Sequence, residues 1–544
     1  MNGPIIAHET VMQCNNCRRT FGSESLQGFV SSRCNVGYDL LVFVGRALFQ
    51  RYRSVLEVRE ELAACNIRLS ASEVNYLGRK FITCLALAHR RATPRIRQKM
   101  TMAGGYILHL DATHDGDAPA LMTGMDSLSQ IVLSNVKLPS ENADHIIPFL
   151  RRLQSDYGTP LACVRDMGGG IGKAVATVFP DIYDFICHFH FLRDIGKDYL
   201  EPAYAKLRNC MRSHGVSSRL HELAREMRNR LSEQSEQPAT LAQALLNAES
   251  QENRDLMALA STYSLTLWAL QGKLCGNGYG FPFDRPLLDF GERLLELEQL
   301  MPDLLHLLLR DDEPDEKQFI HKLVTQACYV AEDPEFSHAM DELRQRCQIF
   351  DRLRSAMRIA PVGGDKGLND DGTTKVMSTI RQEVRKFRRY LEKNPKLADD
   401  PLSKKMAAQI DRYDKKLFAD PITVDAPNGP TVIYPQRTNN ILEQFFRGIR
   451  RGYRRKTGNN SMQGALQAML ADTPLVKNLD NPSYMEILLD GNANLEELFA
   501  ELWSTNHEET TTSDTDTNRI LFGFRDLVKL PTLPAKIIRS LCGA

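Results

Sequence analysis

Between residues 38 and 89 the apolar positions fall into three blocks: a continuous run over 38–49, then helix-periodic segments over about 55–64 and 71–89. Ser54 stands three residues before Glu57, and Ser70 three before Glu73. Each periodic segment therefore opens on a capping box, in which hydroxyl and carboxylate satisfy the backbone groups that a helix start leaves open. Two capped helices joined through residues 65–69 predict a helix-turn-helix, whose second helix enters a DNA major groove, or else a plain three-helix packing module. From Gly105 the period shortens. Strands are predicted over 106–111, 121–125 and 130–138, then a helix over 140–157, a strand over 161–166, a helix over 171–179 and a strand over 184–187. Strands first, then strands alternating with helices, predict an α/β fold with a mixed sheet and helices packed against it. Such sheets take ligands at the carboxyl ends of their parallel strands.

Residues 191 to about 420 are helical in pattern almost throughout. The loop 276–286 interrupts them, as does 361–374, where Gly and Asp are dense enough to predict a mobile surface loop. A Pro-containing connector over 421–435 leads to a last amphipathic helix, with Ile441, Phe445 and Ile449, and Leu442 and Phe446, at helical spacing. No period of 20 to 50 residues repeats. The predicted organisation is 1–37 a zinc-binding knuckle, 38–100 the helix-turn-helix region, 101–200 the first part of an α/β core, 201–425 an all-α insertion, 426–475 the second part of the core, and 476–544 an acidic tail. The tail reads as a solvated linker before a small helical end at 521–541.

Composition changes this picture in one respect. The chain has 544 residues, 42% hydrophobic, which excludes disorder throughout. Its 68 Lys+Arg equal its 68 Asp+Glu, which taken alone argues against a nucleic-acid partner. The balance is uneven along the chain, however. Residues 1–100 hold 15 basic against 7 acidic side chains, and residues 437–456 hold seven basic residues and the single acid Glu443. The tail 479–518 holds ten acids and no Lys or Arg. A phosphate-binding protein fits behind a neutral total, although any one basic run is equally an ordinary solvated helix face. The 12 scattered cysteines suit free thiols in a reducing compartment. With no signal peptide and no membrane-spanning run, the expectation is a cytoplasmic, nucleoid-associated protein.

Two constellations carry chemistry. Cys14 and Cys17 form half of a zinc site, with His8 and Cys34 the nearest further ligands, against cysteines that are merely buried or free. Asp111 and Asp166 each close an apolar strand, and Glu443 is the lone acid of a basic helix. Phosphodiester chemistry with two divalent ions needs such convergent carboxylates from separate elements, and Mg²⁺ or Mn²⁺ is the hard ion they suit. A strand-terminal Asp taken singly is equally a loop cap. Arg447, Arg450, Arg451, Arg454, Arg455 and Lys456, on and after the Glu443 helix, suit DNA phosphate contact. The run from Asp166 through Gly168, Gly170 and Gly172 to Lys173 imitates a P-loop, but Met167 replaces the first glycine and Ala174 the hydroxyl that binds Mg²⁺, so nucleotide binding is not expected.

The segments YILHLDAT, PLACVRDMGGGIGKAV, DFICHFHFLRDIGK and RTNNILEQFFRGIRRGYRRKTG resemble the successive motifs of DDE transposases of bacterial insertion sequences, in particular the mutator-like group with a helical insertion before the Glu. The resemblance extends to about Leu470. It implies an RNase H-like core with Asp111, Asp166 and Glu443 as catalytic, metal-binding acids, and the long interval before Glu443 as the insertion. Cys187 and His190 match the family's Cys-x-x-His signature. Trp268 is the candidate for the aromatic residue that in relatives stacks on an unpaired base, with core burial as the alternative. The function implied is cleavage of transposon ends and strand transfer into target DNA, without a covalent enzyme intermediate, by a homodimer or higher assembly on paired ends. An RNase H-like nuclease and a catalytically silent, transposase-derived DNA-binding protein are the alternatives.

Overall fold

The computed structural model describes residues 6, 8–18, 20, 21, 26, 28–30, 34–234, 238–247, 254–308, 315–360, 377–427 and 429–505. The surface loop expected at 361–374 and the helical end expected at 521–541 lie outside them. The chain divides into two compact units, one within Met1–Arg91 and Leu488–Ala544, the other within Ala92–Ile487.

The first unit starts with a small antiparallel hairpin, β1 (Met12–Gln13) and β2 (Thr20–Phe21), on either side of Cys14 and Cys17. The apolar run beyond it forms α1 (Tyr38–Gly45), which passes into a π-helical turn at Arg46–Gln50. α2 (Val55–Ala64) and α3 (Ala71–Met102) follow, and both capping boxes form, with Ser54 and Glu57 and with Ser70 and Glu73 bonded reciprocally to each other's backbone. The sequence places the end of α3 near His89; the helix instead continues through Pro94 to Met102.

The second unit contains a five-stranded sheet. β3 (Ile107–Thr113), β4 (Ala120–Asp126) and β5 (Ile131–Leu138) pair antiparallel, α4 (Ala143–Tyr157) follows, and β6 (Ala162–Arg165) returns parallel to β3. After α5 (Gly169–Val178), β7 (Tyr183–Ile186) lies parallel to β6, giving the order β5-β4-β3-β6-β7. The fold is mixed α/β with a mixed sheet, as the element order predicts. Every residue of β4 is buried, as a central strand covered on both faces requires. Arg165, itself buried at the end of β6, holds Asp184 of β7 through two hydrogen bonds of 2.7 and 2.8 Å.

The all-α stretch expected as an insertion over 201–425 follows a helix that already starts at His188: α6 (His188–Ser213) leads into α7 (Val216–Gln234), α8 (Pro238–Leu246), α9 (Arg254–Gln271), α10 (Pro286–Leu308), α11 (Asp315–Ala331), α12 (Pro334–Met357), α13 (Met377–Lys393), α14 (Pro395–Ala398) and α15 (Pro401–Leu417). One apolar core joins them, with Leu207, Leu294, Phe336, Leu343 and Phe350 fully buried. α13 shows the period that builds it: Ile380, Val384, Phe387 and Leu391 face inward, while Arg385 and Arg388 pair outward with Asp414 and Asp411.

The Pro-containing connector over 421–435 contains strands that its sequence does not predict. They form the hairpin β8 (Ile422–Ala426) and β9 (Gly429–Ile433), whose Ile433, with Ile422 and Val424, packs on Ile107, Ala162, Val164 and Phe185. α16 (Asn440–Thr457) and α17 (Gln463–Ala468) follow. The acidic tail also departs from its expected form, because residues 473–505 are folded rather than a solvated linker. A 3-10 helix at Thr473–Asp480 leads into α18 (Pro482–Leu489) and α19 (Leu495–Thr505), with Leu475, Val476, Tyr484, Leu495, Leu498 and Phe499 buried. Phe499 meets Phe81 edge-on at 5.8 Å in the first unit.

In the second unit, buried Asn478 acts as a one-residue strand partner for the sheet edge. It accepts from the Val132 N–H at 2.8 Å and donates to the Val132 carbonyl at 2.9 Å. Asn478→Ala leaves that backbone pair unsatisfied and should lower stability in urea unfolding by about 2 kcal/mol. A midpoint equal to that of the native chain would show that the edge does not depend on it.

Candidate active site

Leu110 of β3 pairs in register with Arg165, the last residue of β6, so Asp111 and Asp166 come next on neighbouring parallel strands; β3 does not close on Asp111 as expected but runs two residues further, paired with β4. Each carboxylate is steadied locally. Asp111 Oδ1 accepts from the Ala112 N–H at 2.9 Å, and Asp166 Oδ1 accepts from the Gly168 N–H at 3.1 Å. The glycines after Asp166 serve close approach rather than a nucleotide. A Cβ on Gly170 would lie 1.9 Å from the Glu141 carbonyl oxygen, and one on Gly172 would meet the Arg165 guanidinium at 2.9 Å. α5 thereby starts hard against the residues leading into α4.

Glu443 is one turn into α16, and the helix start is fixed by Asn439, which is fully buried. The Asn439 side chain pairs through Oδ1 with His109 Nδ1 at 2.9 Å and donates to the Leu110 carbonyl at 2.9 Å, both on the strand that carries Asp111. Its backbone N–H donates to Cys187 Sγ at 3.2 Å, and its carbonyl accepts from the N–H groups of Leu442 and Glu443. Burial keeps His109 neutral, with a pKa near 4. Since Asn439 Nδ2 is the donor to Leu110, Oδ1 is the acceptor and His109 Nδ1 carries the proton.

Cys187, His190 and Glu443 place ligand atoms within 4.8 Å of one another, with His190 Nε2 at 3.7 Å from Glu443 Oε1. Burial, with Arg193 beside it, lowers His190 to about 4, and burial raises the Cys187 thiol to about 12. Both are uncharged at neutral pH, so Cys187 does not act as a thiolate nucleophile. Burial first, then the charge of Asp166, pushes Asp111 up to about 8. Burial raises Glu443, opposed by Arg193 and Arg447. Glu443 Oε1 is buried and lacks a hydrogen-bond donor. These are carboxylates held where the anion is disfavoured, and a cation ligated there would relieve the cost. The donor set of oxygens suits Mg²⁺ or Mn²⁺. Glu443 turns toward His190 and Cys187; its carboxylate and the two aspartates do not lie within a single 4.8 Å set.

Two nearby groups escaped the sequence analysis. Glu141, before α4, is raised by burial and then by Asp166, and it lies 3.7 Å from His114 Nδ1. Arg193, on the first turns of α6, neighbours Glu443. No periodicity marks Glu141, whereas Arg193 stands three residues after His190 on a predicted helix and was legible in principle.

The remaining predicted site residues divide. Arg447, Arg450, Arg451, Arg454 and Arg455 are exposed along α16, and Lys456 is half-buried, its ammonium 5.8 Å from the Tyr453 ring centre. Trp268 is half-buried against the insertion core, with the Arg293 guanidinium 5.0 Å from its ring centre and also bonded to its carbonyl. Of His8, Cys14, Cys17 and Cys34, only Cys14 and Cys17 come together. N–H groups of Cys17 and Asn16 hold the Cys14 thiol below its usual range, and no three of the four form a ligand set.

No protein-family model and no curated protein matches the sequence. No helix among the described residues is long and apolar enough to cross a membrane.

Asp111 is raised above its ordinary 3.8, so the folded chain keeps a proton there that the unfolded chain releases. Between about pH 4 and 8 the metal-free fold must lose stability on this account as pH rises. Asp111→Asn should therefore stabilise the chelator-treated chain by on the order of 2 kcal/mol at pH 7, the gain fading toward pH 4. Urea unfolding at both pH values checks this; an equal effect at the two would show that Asp111 does not titrate as its surroundings require.

Proposed function

We propose that the chain is a DDE-type DNA transposase with an RNase H-like core, in which Asp111, Asp166 and Glu443 hold divalent metal for strand cleavage and transfer. The observation that carries this reading is the delivery of Glu443. A helix from beyond the insertion is clamped by Asn439 to the strand that bears Asp111, which itself lies in register with the strand leading to Asp166. The sheet order, three antiparallel strands followed by two parallel ones, supports the RNase H-like assignment. Bound Mg²⁺ or Mn²⁺ would activate the attacking oxygen and stabilise the leaving one at the scissile phosphodiester.

The chain's own groups then have separate tasks. Asp111 and Asp166 present adjacent oxygens from one sheet edge, and Glu443 presents its own from the facing helix. Neutral His190 sits beside Glu443 without competing as a cation. The exposed arginines of α16 grip phosphates next to the acids, which positions DNA without reading its sequence. End recognition falls to the basic amino-terminal region, with α3 as the reading helix, and paired ends require a dimer or larger assembly.

The deciding experiment incubates the full chain with the DNA that flanks its own coding sequence, Mg²⁺ and a target plasmid. Joined products are expected; hydrolysis alone would indicate a nuclease, and binding without cleavage a silent relative. Asp111→Asn, Asp166→Asn and Glu443→Gln should each reduce cleavage by at least about 1,000-fold while end binding in a gel-shift assay persists. Retained cleavage in any one removes that residue from the site. Arg450→Ala with Arg454→Ala should flatten the log–log dependence of DNA affinity on salt by about 1 to 2. An unchanged slope in a salt titration would place the DNA elsewhere.

A further inference from the structure

A second constellation lies away from the acids, inside the helical insertion. Cys210 and His214 stand one helical turn apart at the end of α6, and Asp333 caps the start of α12. The two elements are distant in sequence, yet three ligand atoms converge. His214 Nε2 donates to Asp333 Oδ2 at 2.6 Å, and the Cys210 thiol approaches the same oxygen at 3.7 Å. All three atoms lie within 4.8 Å of one another. Asp333 Oδ1 is committed to the Glu335 N–H at 2.8 Å, which aims Oδ2 at the other two groups. The Tyr329 ring stands edge-on to the imidazole at 5.2 Å and limits its rotation.

We propose that Cys210, His214 and Asp333 bind one zinc ion that pins the end of α6 to the start of α12. The donor set selects the metal. A thiolate with an imidazole and a carboxylate suits borderline-soft Zn²⁺, whereas Mg²⁺ takes oxygens and refuses the sulfur. A tetrahedral ion with bonds of about 2.0 to 2.3 Å sets its ligand atoms roughly 3.3 to 3.8 Å apart; Cys210 Sγ and Asp333 Oδ2, at 3.7 Å, already stand so, and His214 Nε2 has to draw back from its 2.6 Å contact with Asp333 to admit the ion. Binding displaces the Cys210 thiol proton and the proton that His214 Nε2 shares with Asp333, both passing to solvent or, for the imidazole, to Nδ1, and water takes the fourth position. None of the three residues belongs to the proposed catalytic set, and zinc content is read independently of cleavage.

The test measures metal in the purified full chain. Cys14→Ser, Cys17→Ser and Cys187→Ser first remove the amino-terminal thiols and the thiol beside His190 and Glu443 as competing sources. In that background Cys210→Ser and Asp333→Asn should each lose about one zinc per chain by elemental analysis. Asp333→Asn is the informative variant, because Asn still caps α12 and circular dichroism should stay unchanged. Replacement of zinc by Co²⁺ in the background chain should give a thiolate-to-cobalt charge-transfer band and intense tetrahedral d–d bands. Both should vanish in Cys210→Ser. Zinc content unaffected by either variant, or no thiolate band in the cobalt-loaded background chain, would overturn the proposal and leave a His214–Asp333 ion pair as the whole of the contact.

Discussion

The arrangement of the acids depends on Asn439. Ten α-helices among the described residues, α6 to α15, separate Glu443 from the strands that carry Asp111 and Asp166, so covalent connectivity does not set the distance between them. A noncovalent clamp has to. Asn439 supplies it by turning one buried amide into two contacts with β3 while its backbone reaches Cys187 and starts α16. A buried amide that loses one partner incurs a cost of about 1 to 3 kcal/mol, so the side chain tolerates one orientation and the helix one register. The surroundings reinforce it. His188 N–H bonds the Arg437 carbonyl, and the Arg437 guanidinium bonds the carbonyls of Met357 and Arg358, holding the segment just before Asn439 against the start of α6 and the end of α12. Beyond α16, Asp115 from the turn after β3 accepts from the Met462 N–H at 2.6 Å. The Glu helix is thus tied near each end to the neighbourhood of the same strand.

With the backbone fixed in this way, electrostatics sets the state of the site. Asp111, Glu443 and Glu141 are all raised, and burial is the first cause in each case. The fold accepts this cost at one sheet edge while keeping His109, His188 and His190 neutral beside it. Positive charge is concentrated instead on the exposed side of α16, where it is solvated when free and available to phosphate. Neutral total charge is compatible with this division, because the acids and the arginines face different surroundings.

Much of this was legible in the sequence, and the omissions have physical causes. Capping boxes announced α2 and α3, because the residues that satisfy a helix start lie three apart in sequence. Strand periodicity gave β3 through β7, and parallel pairing of β3 with β6 makes Asp111 and Asp166 neighbours. What escaped was mostly long-range. Asn439 reads as one more polar residue before a helix, since its partners lie on β3 and at Cys187. Residues 421–435 read only as a Pro-containing connector because their strands are short and mostly exposed, with Ile433 the one buried strand residue. The tail was misread through its net charge, although Leu475, Tyr484, Leu495 and Phe499 are the residues that bury.

α6 connects the two halves of this design. It begins at His188 and His190 beside Glu443 and ends at Cys210 and Ser213 inside the insertion, an unbroken helix of 26 residues and about 39 Å. Its inner face, from Phe191 and Ile195 through Tyr199 and Leu207, is buried in the insertion core along that whole length. A helix so packed moves as a unit, because close-packed interiors transmit displacement rather than absorb it. α6 is therefore one packed element that runs from its contact with α12, past Pro202, to His190, whose Nε2 lies 3.7 Å from Glu443 Oε1. The insertion is consequently part of the machinery that sets the position of the third acid, and shortening α6 by one turn would misplace the site even with all three acids intact.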